Sequence, residues 1–336
     1  MSQENTHRTF LDDKTGKNHS EGDPETSSMQ QSSTPAELVD ALNLVFGKQT
    51  YGRAVHAKGI VLKGRFLPTP LAPTLSKAPH FQNVAVPVTI RFSNFAGILT
   101  ISDTDALASP HGLALKFHLS DGTETDLVTH SFNGFPVATV DEFRELLIAL
   151  GSSGPSVTAP TPVDIYLAAH PIAKSFLESQ QPPPVSYATL SYFGVNSFKF
   201  TNARGEISIG RYRIEPQAGN QFLSTEEIAK ASPNYLADEI RQRVAHTPVR
   251  FSFHIQFPES GDKIDDPSIA WPDTRKTIEI GIIEITEVVH DSVTAERALL
   301  FLPSQLPAGI EPADPMIQTR SPAYVISYER RHQYTP

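Results

Sequence analysis

The sequence predicts an α+β domain built on an antiparallel, closed sheet wrapped by helices. Three observations carry that reading. About eight segments alternate or run apolar over strand-like lengths between Gly and Pro breakers. Helical segments fall in separate blocks rather than one after each strand, and two strands are joined by a short Gly-containing turn. A doubly wound α/β sheet would need helices alternating one for one with strands, so the closed antiparallel arrangement is favoured.

Residues 1–33 are almost free of large apolar side chains and rich in Ser, Thr, Glu, Asp, Gln and Asn. Such a stretch cannot bury enough surface to order itself, so a disordered arm, or one laid on a partner, is expected ahead of a single domain over 34–336. Ser33-Thr34-Pro35-Ala36-Glu37 then offers a cap, a first-turn proline and a carboxylate before the apolar positions of LVDALNLVFG, which predicts a helix. From Val55 the period changes to two: strands are expected over 55–66, 86–95 and 111–120, a hairpin over 197–216, and late strands over 249–258 and 276–289. Helices are expected over 140–150, 160–171 and 225–244, the last broken at Pro233. In RSPAYVISYERR, residues 320–331, a helix puts Arg320 and Tyr324 on one face, with Arg331 two turns beyond. The 28 prolines are spread through long irregular connections, which commonly wrap something or build a site.

Composition removes several function classes. A net charge of −9 with no basic block argues against a nucleic-acid backbone as partner. No window approaches about 18 continuous apolar residues, so no membrane span is expected. The N-terminus lacks the apolar core of a secretion signal, so a cytoplasmic setting is the expectation. The chain has no cysteine, which excludes disulfides, thiolate nucleophiles and zinc–cysteine sites. Any metal must therefore sit on nitrogen or oxygen. The 12 histidines form no HExxH and no pair at ligand spacing on one element. His56, in GRAVHAKG, taken alone reads as a hydrogen-bonded core residue at the start of a strand.

Several segments read together change that balance. RAVHAKG (53–59) and GRF (64–66), PVTIRFSNFAG (87–97), PHGLALKF (110–117), DLV (126–128), GVNSFKFTNARGE (194–206) and RSPAYVISYERR occur in this order. Their order and wording resemble the haem catalases, and most closely the short catalase-related peroxidases, over about residues 45–332. The resemblance implies a catalase-like eight-stranded antiparallel β-barrel with surrounding helices, lacking the C-terminal helical domain, and haem b as cofactor. By the same resemblance Tyr324 is the phenolate ligand of the iron, the ligand type known in catalase. Arg320 holds its charge, and His56 is the distal proton-transfer residue oriented by Ser93. Arg53, Arg91 and Arg331 hold the propionates, and Phe143 lies against the haem or is plain core.

The match departs from full catalases at named places. His130 stands where they carry an asparagine, with Asn133 three residues on; it reads either as a hydrogen-bond donor to peroxide or as a surface loop histidine. Ser109 and Phe95 stand at access-channel positions, and Leu113 replaces an aromatic. No bound NADPH is expected, and a dimer or monomer is favoured over an interlaced tetramer. The implied activity is reduction of hydrogen peroxide or a small organic hydroperoxide through an oxyferryl intermediate. A small organic electron donor would complete the cycle, with weak catalase activity alongside. Two other readings stay open: rearrangement of fatty-acid hydroperoxides or oxidation of a biosynthetic intermediate on the same haem, and a non-enzymatic haem- or lipid-binding barrel. Val55, directly before His56, leans toward ordinary peroxide cleavage.

Overall fold

The computed structural model describes residues 33–333; the expected polar arm lies outside them, except for Ser33. The first helix, α1 (Pro35–Phe46), begins where its sequence marks a start. Thr34 caps it, Glu37 closes a capping box and Pro35 occupies the first turn. The sheet opens with β1 (Gly59–Pro68), which leads to the single-turn α2 (Ala72–Leu75) and then β2 (Val86–Ser93), β3 (Gly112–His118) and β4 (Glu124–His130). A helical block follows, α3 (Val140–Gly151), α4 (Pro162–Ala169) and α5 (Pro171–Glu178). The expected hairpin is β5 (Tyr192–Thr201) and β6 (Ile207–Pro216). Next come α6 (Thr225–Lys230) and α7 (Tyr235–His246), separated at Pro233 as expected, then β7 (Val249–Gln256) and β8 (Thr277–Val288). The chain closes with α8 (Ser292–Ala298), the short β9 (Ile310–Pro312) and α9 (Met316–His332).

The strands run in the order β4-β3-β2-β1-β8-β7-β6-β5, and a pairing of His130 with Phe193 joins β4 to β5 and closes an eight-stranded antiparallel barrel. β9 adds to the outer flank of β5. Alternation fills the barrel: Val249, Phe251, Phe253 and Ile255 of β7 point in and are buried, whereas Arg250 between them is exposed. Aromatic rings dominate that interior, with Phe66 5.5 Å from Phe253 and 5.7 Å from Phe117 between ring centres.

A second apolar cluster lies outside the barrel, where α1, α3 and α9 cover the sheet through residues such as Leu38, Leu42, Leu147 and Ala323. The registers fix what they cover. Ser93 pairs with Gly112 and Gly112 with His130; Arg91 pairs with Ala114 and Ala114 with Val128. Because side chains alternate, these six residues share the outer face of β2, β3 and β4, while Phe92, Leu113 and Leu127 point into the barrel core. The expected strand from residue 55 starts four residues later, at Gly59, since His56 has φ +54° and cannot extend a strand. No helix among the described residues is long and apolar enough to cross a membrane.

Candidate active site

Between that outer sheet face and helices α1, α3 and α9 lies a cavity open to solvent at its mouth. It is lined by His56, Ser93, His130, Phe143, Arg53, Arg91, Arg320, Tyr324 and Arg331, so the residues given catalytic, haem-binding or iron-binding roles in the sequence meet in one place, while Ser109 is not among its lining residues. Asn133 is not among the lining residues.

One end is built by α9. Met316, Arg320, Ala323, Tyr324, Ser327 and Arg331 all line the cavity, the stripe that helical periodicity dictates. Arg320 Nη2 donates to the Tyr324 phenol oxygen at 2.8 Å. Arg320 Nη1 donates to Asn196 Oδ1 at 2.6 Å, and Asn196 Nδ2 donates to Asp314 Oδ2 at 2.7 Å. This Asp314–Asn196–Arg320–Tyr324 chain fixes the guanidinium against the phenol. Burial raises the Asp314 carboxyl above its ordinary pKa, partly offset by the Asn196 hydrogen bond and by the peptide N–H of Met316. Sequence reasoning missed Asn196 and Asp314, although GVNSFKF carries a signal: a polar residue, 3 % exposed, inside a buried strand.

The His56 wall is set by the sheet. Ser93 Oγ lies 3.1 Å from His56 Nδ1, and the Phe95 ring meets the imidazole edge-on at 5.5 Å. Gly112 leaves the room this needs, because a Cβ there would sit 2.6 Å from Ser93 Oγ and 3.0 Å from His56 Nδ1. Burial, and secondarily the Arg91 charge, push the His56 pKa well below its ordinary 6.5, so the ring is a neutral base at physiological pH. His130 ends β4 beside it. Both His130 ring nitrogens are buried without a protein partner, which rules out the surface-loop reading. Burial, then Arg320, lowers its pKa to about 3. Phe143 packs its ring 5.0 Å from Phe135 and shares its wall with α1.

The third region is cationic. Arg53 Nη2 donates to the carbonyls of Glu296 and Leu299 at 2.9 and 3.0 Å. Arg331, 3 % exposed, donates from Nη2 to Leu299 O at 2.6 Å, and its Nε is buried without a partner. Burial, then the Arg91 charge, lowers the pKa of Arg53 and brings that of Arg331 to about 10. Glu296 is the carboxylate of this cluster, 3.6 Å from Arg53 Nη1 and bonded to Arg91.

Three buried histidines, His80, His111 and His130, have pKa values near 3, each chiefly through burial. The unfolded chain binds their protons first as pH falls below about 6.5, so the stability their neutral burial preserves is present above 6.5 and lost toward 3. At pH 5 each costs about 2 kcal/mol, roughly 6 for the three, comparable to the whole stability of a domain. Thermal midpoints are therefore expected to fall steeply between pH 6 and 4, and less steeply in His80→Leu.

A family model described as Catalase matches residues 34–334. The chain belongs to the catalase family. It is 33 % identical over 304 residues to a catalase-related peroxidase of Synechococcus elongatus, covering 89 % of this chain and 88 % of that one. A catalase-related peroxidase of Mycolicibacterium paratuberculosis is also 33 % identical, over 89 % of this chain and 95 % of its own length. The catalase of Pseudomonas syringae is 26 % identical over 84 % of this chain, which spans only 57 % of that protein. In fold, the chain superposes on a fungal catalase crystal structure with a TM-score of 0.74 at 21 % identity, over 88 % of this chain and 62 % of the other. Membership in the catalase family makes this an oxidoreductase and implies haem as cofactor and hydrogen peroxide as substrate. The cavity suits a haem on its own terms. It has an apolar interior, a phenol held by a guanidinium, unpartnered nitrogens on His130 and Arg331, and three arginines against one nearby carboxylate.

Proposed function

We propose that the chain is a haem b peroxidase that reduces hydrogen peroxide or a small organic hydroperoxide at the expense of an organic donor, with weak catalase activity. The observation that carries this is the Arg320–Tyr324 hydrogen bond at 2.8 Å in the same cavity as a neutral, serine-bonded His56. Tyr324 would hold the iron through its phenol oxygen, which accepts from Arg320 Nη2. Arg53, Arg91 and Arg331 with Glu296 leave two positive charges, which match the two propionates of one haem. The bound haem supplies the two-electron oxidation–reduction chemistry.

The protein's own part is proton handling and exclusion of water. His56, neutral and held through Nδ1 by Ser93, takes the proton from one peroxide oxygen and returns it to the other as the O–O bond breaks. His130 offers its unpartnered ring to the same peroxide; as a neutral imidazole it donates one hydrogen bond and accepts one. The overall stoichiometry is ROOH + 2 AH → ROH + H2O + 2 A, with the donor AH giving one hydrogen atom each time. Peroxide consumption with a phenolic donor, recorded alongside oxygen evolution, tests the reading. Donor-dependent turnover exceeding oxygen release is expected. An epoxide rather than an alcohol from a lipid hydroperoxide would instead make this a rearranging enzyme, and stoichiometric haem without any turnover would make it a binding protein.

A further inference from the structure

Arg53, Arg91 and Arg331, the three arginines of the cationic region, differ in how much of their hydrogen-bonding capacity is already committed. Arg91, 3 % exposed, uses Nε on Glu296 Oε1 at 2.7 Å. Its Nη2 donates to the same oxygen, to the His56 carbonyl at 2.7 Å and more weakly to the Ala57 carbonyl at 3.4 Å. The peptide it grips is the one whose φ of +54° lies in the left-handed region, where a residue other than glycine persists only if its surroundings hold it. The opposite anchor is the His56 N–H donating to Phe95 O at 2.6 Å. The knot is closed to any addition: a Cβ on Gly59 would stand 2.7 Å from both Arg91 Nη2 and Glu296 Oε1.

We infer that Glu296 is a positioning residue for His56: by fixing Arg91 it locks the His56 carbonyl, and so sets where the imidazole points. This rests on the proposed function, because it concerns the ring that handles the peroxide proton. A buried guanidinium deprived of its carboxylate turns to another acceptor. The His56 carbonyl then loses its donor, and the left-handed turn relaxes toward the extended region that most residues prefer. The Nδ1–Ser93 contact, 3.1 Å across the cavity wall, depends on that turn. Arg53, with Nη1 3.6 Å from the same carboxylate oxygen and Nη2 on two carbonyls of the α8 segment, keeps α8 in place while Glu296 serves Arg91.

The test compares the parent chain with Glu296→Gln and Glu296→Asp. Three quantities are read: the haem dissociation constant, the association rate of cyanide with the ferric protein, and the His56 ring nitrogen signals by 15N NMR with and without haem. Hydrogen cyanide must give up its proton to bind, so its rate reports a base placed at the iron. In Glu296→Gln, cyanide association is expected to slow roughly 10- to 100-fold, and the His56 signals to shift or broaden in the haem-free chain as well. Glu296→Asp, which keeps the charge, should recover part of the rate and serves alone where the Gln variant does not fold. Unchanged cyanide rates and His56 signals would overturn the inference, and so would weakened haem binding with His56 signals unaltered. A parent chain that takes up no haem would defeat the proposed function, while the haem-free NMR comparison would still decide the role of Glu296.

Discussion

Replacing His56 by alanine is expected to slow reaction with peroxide by about 10²–10⁴-fold while haem content stays at one per chain. The range is that of a positioned general acid–base, and this site offers a base suited to it: a neutral ring, turned by Ser93 and kept neutral by burial. His130 is not expected to take over, because no side chain orients its ring as Ser93 orients that of His56. Stopped-flow mixing with peroxide checks this, and haem content is read from absorption. A variant reacting within threefold of the parent would remove His56 from the chemistry.

Tyr324→Phe carries the second large effect. The phenol oxygen is the acceptor for Arg320 Nη2 at 2.8 Å, so the substitution removes the proposed oxygen ligand and strands a guanidinium donor in a partly buried site. Turnover is expected to fall below detection with any donor, and haem to bind more weakly because only the walls and arginines remain to hold it. Stability should drop by about 1–3 kcal/mol in the haem-free chain, the usual cost of an unsatisfied buried donor. Steady-state assay and a thermal melt without haem separate the two consequences.

The sequence made the site more legible than some of the elements around it. Tyr324, Arg320 and Arg331 lie within one helix, so their spacing alone placed them on one face, and Pro322 inside α9 did not break it. β4 escaped notice because its buried positions include Thr125, Asp126 and Thr129, which read as polar; Lys116 pairs with Asp126 across the ladder at 2.9 Å. A single helix expected over 160–171 became two, because Pro171 ends the first and supplies the first turn of the next. His56 looked like the start of a strand, and its left-handed turn is dictated by tertiary contacts with Arg91 and Phe95 rather than by neighbours in sequence. Glu296 had no signal at all: in VTAERALL it is an ordinary helix charge, and only the fold brings it to an arginine 205 residues away.

The most direct measurement is the ferric absorption spectrum during a haem titration of the parent chain and of Tyr324→Phe. Saturation at one haem per chain, with a phenolate-ligated spectrum that disappears in the variant, is the predicted result. A spectrum identical in the two proteins would show that Tyr324 does not hold the iron, and would contradict the account.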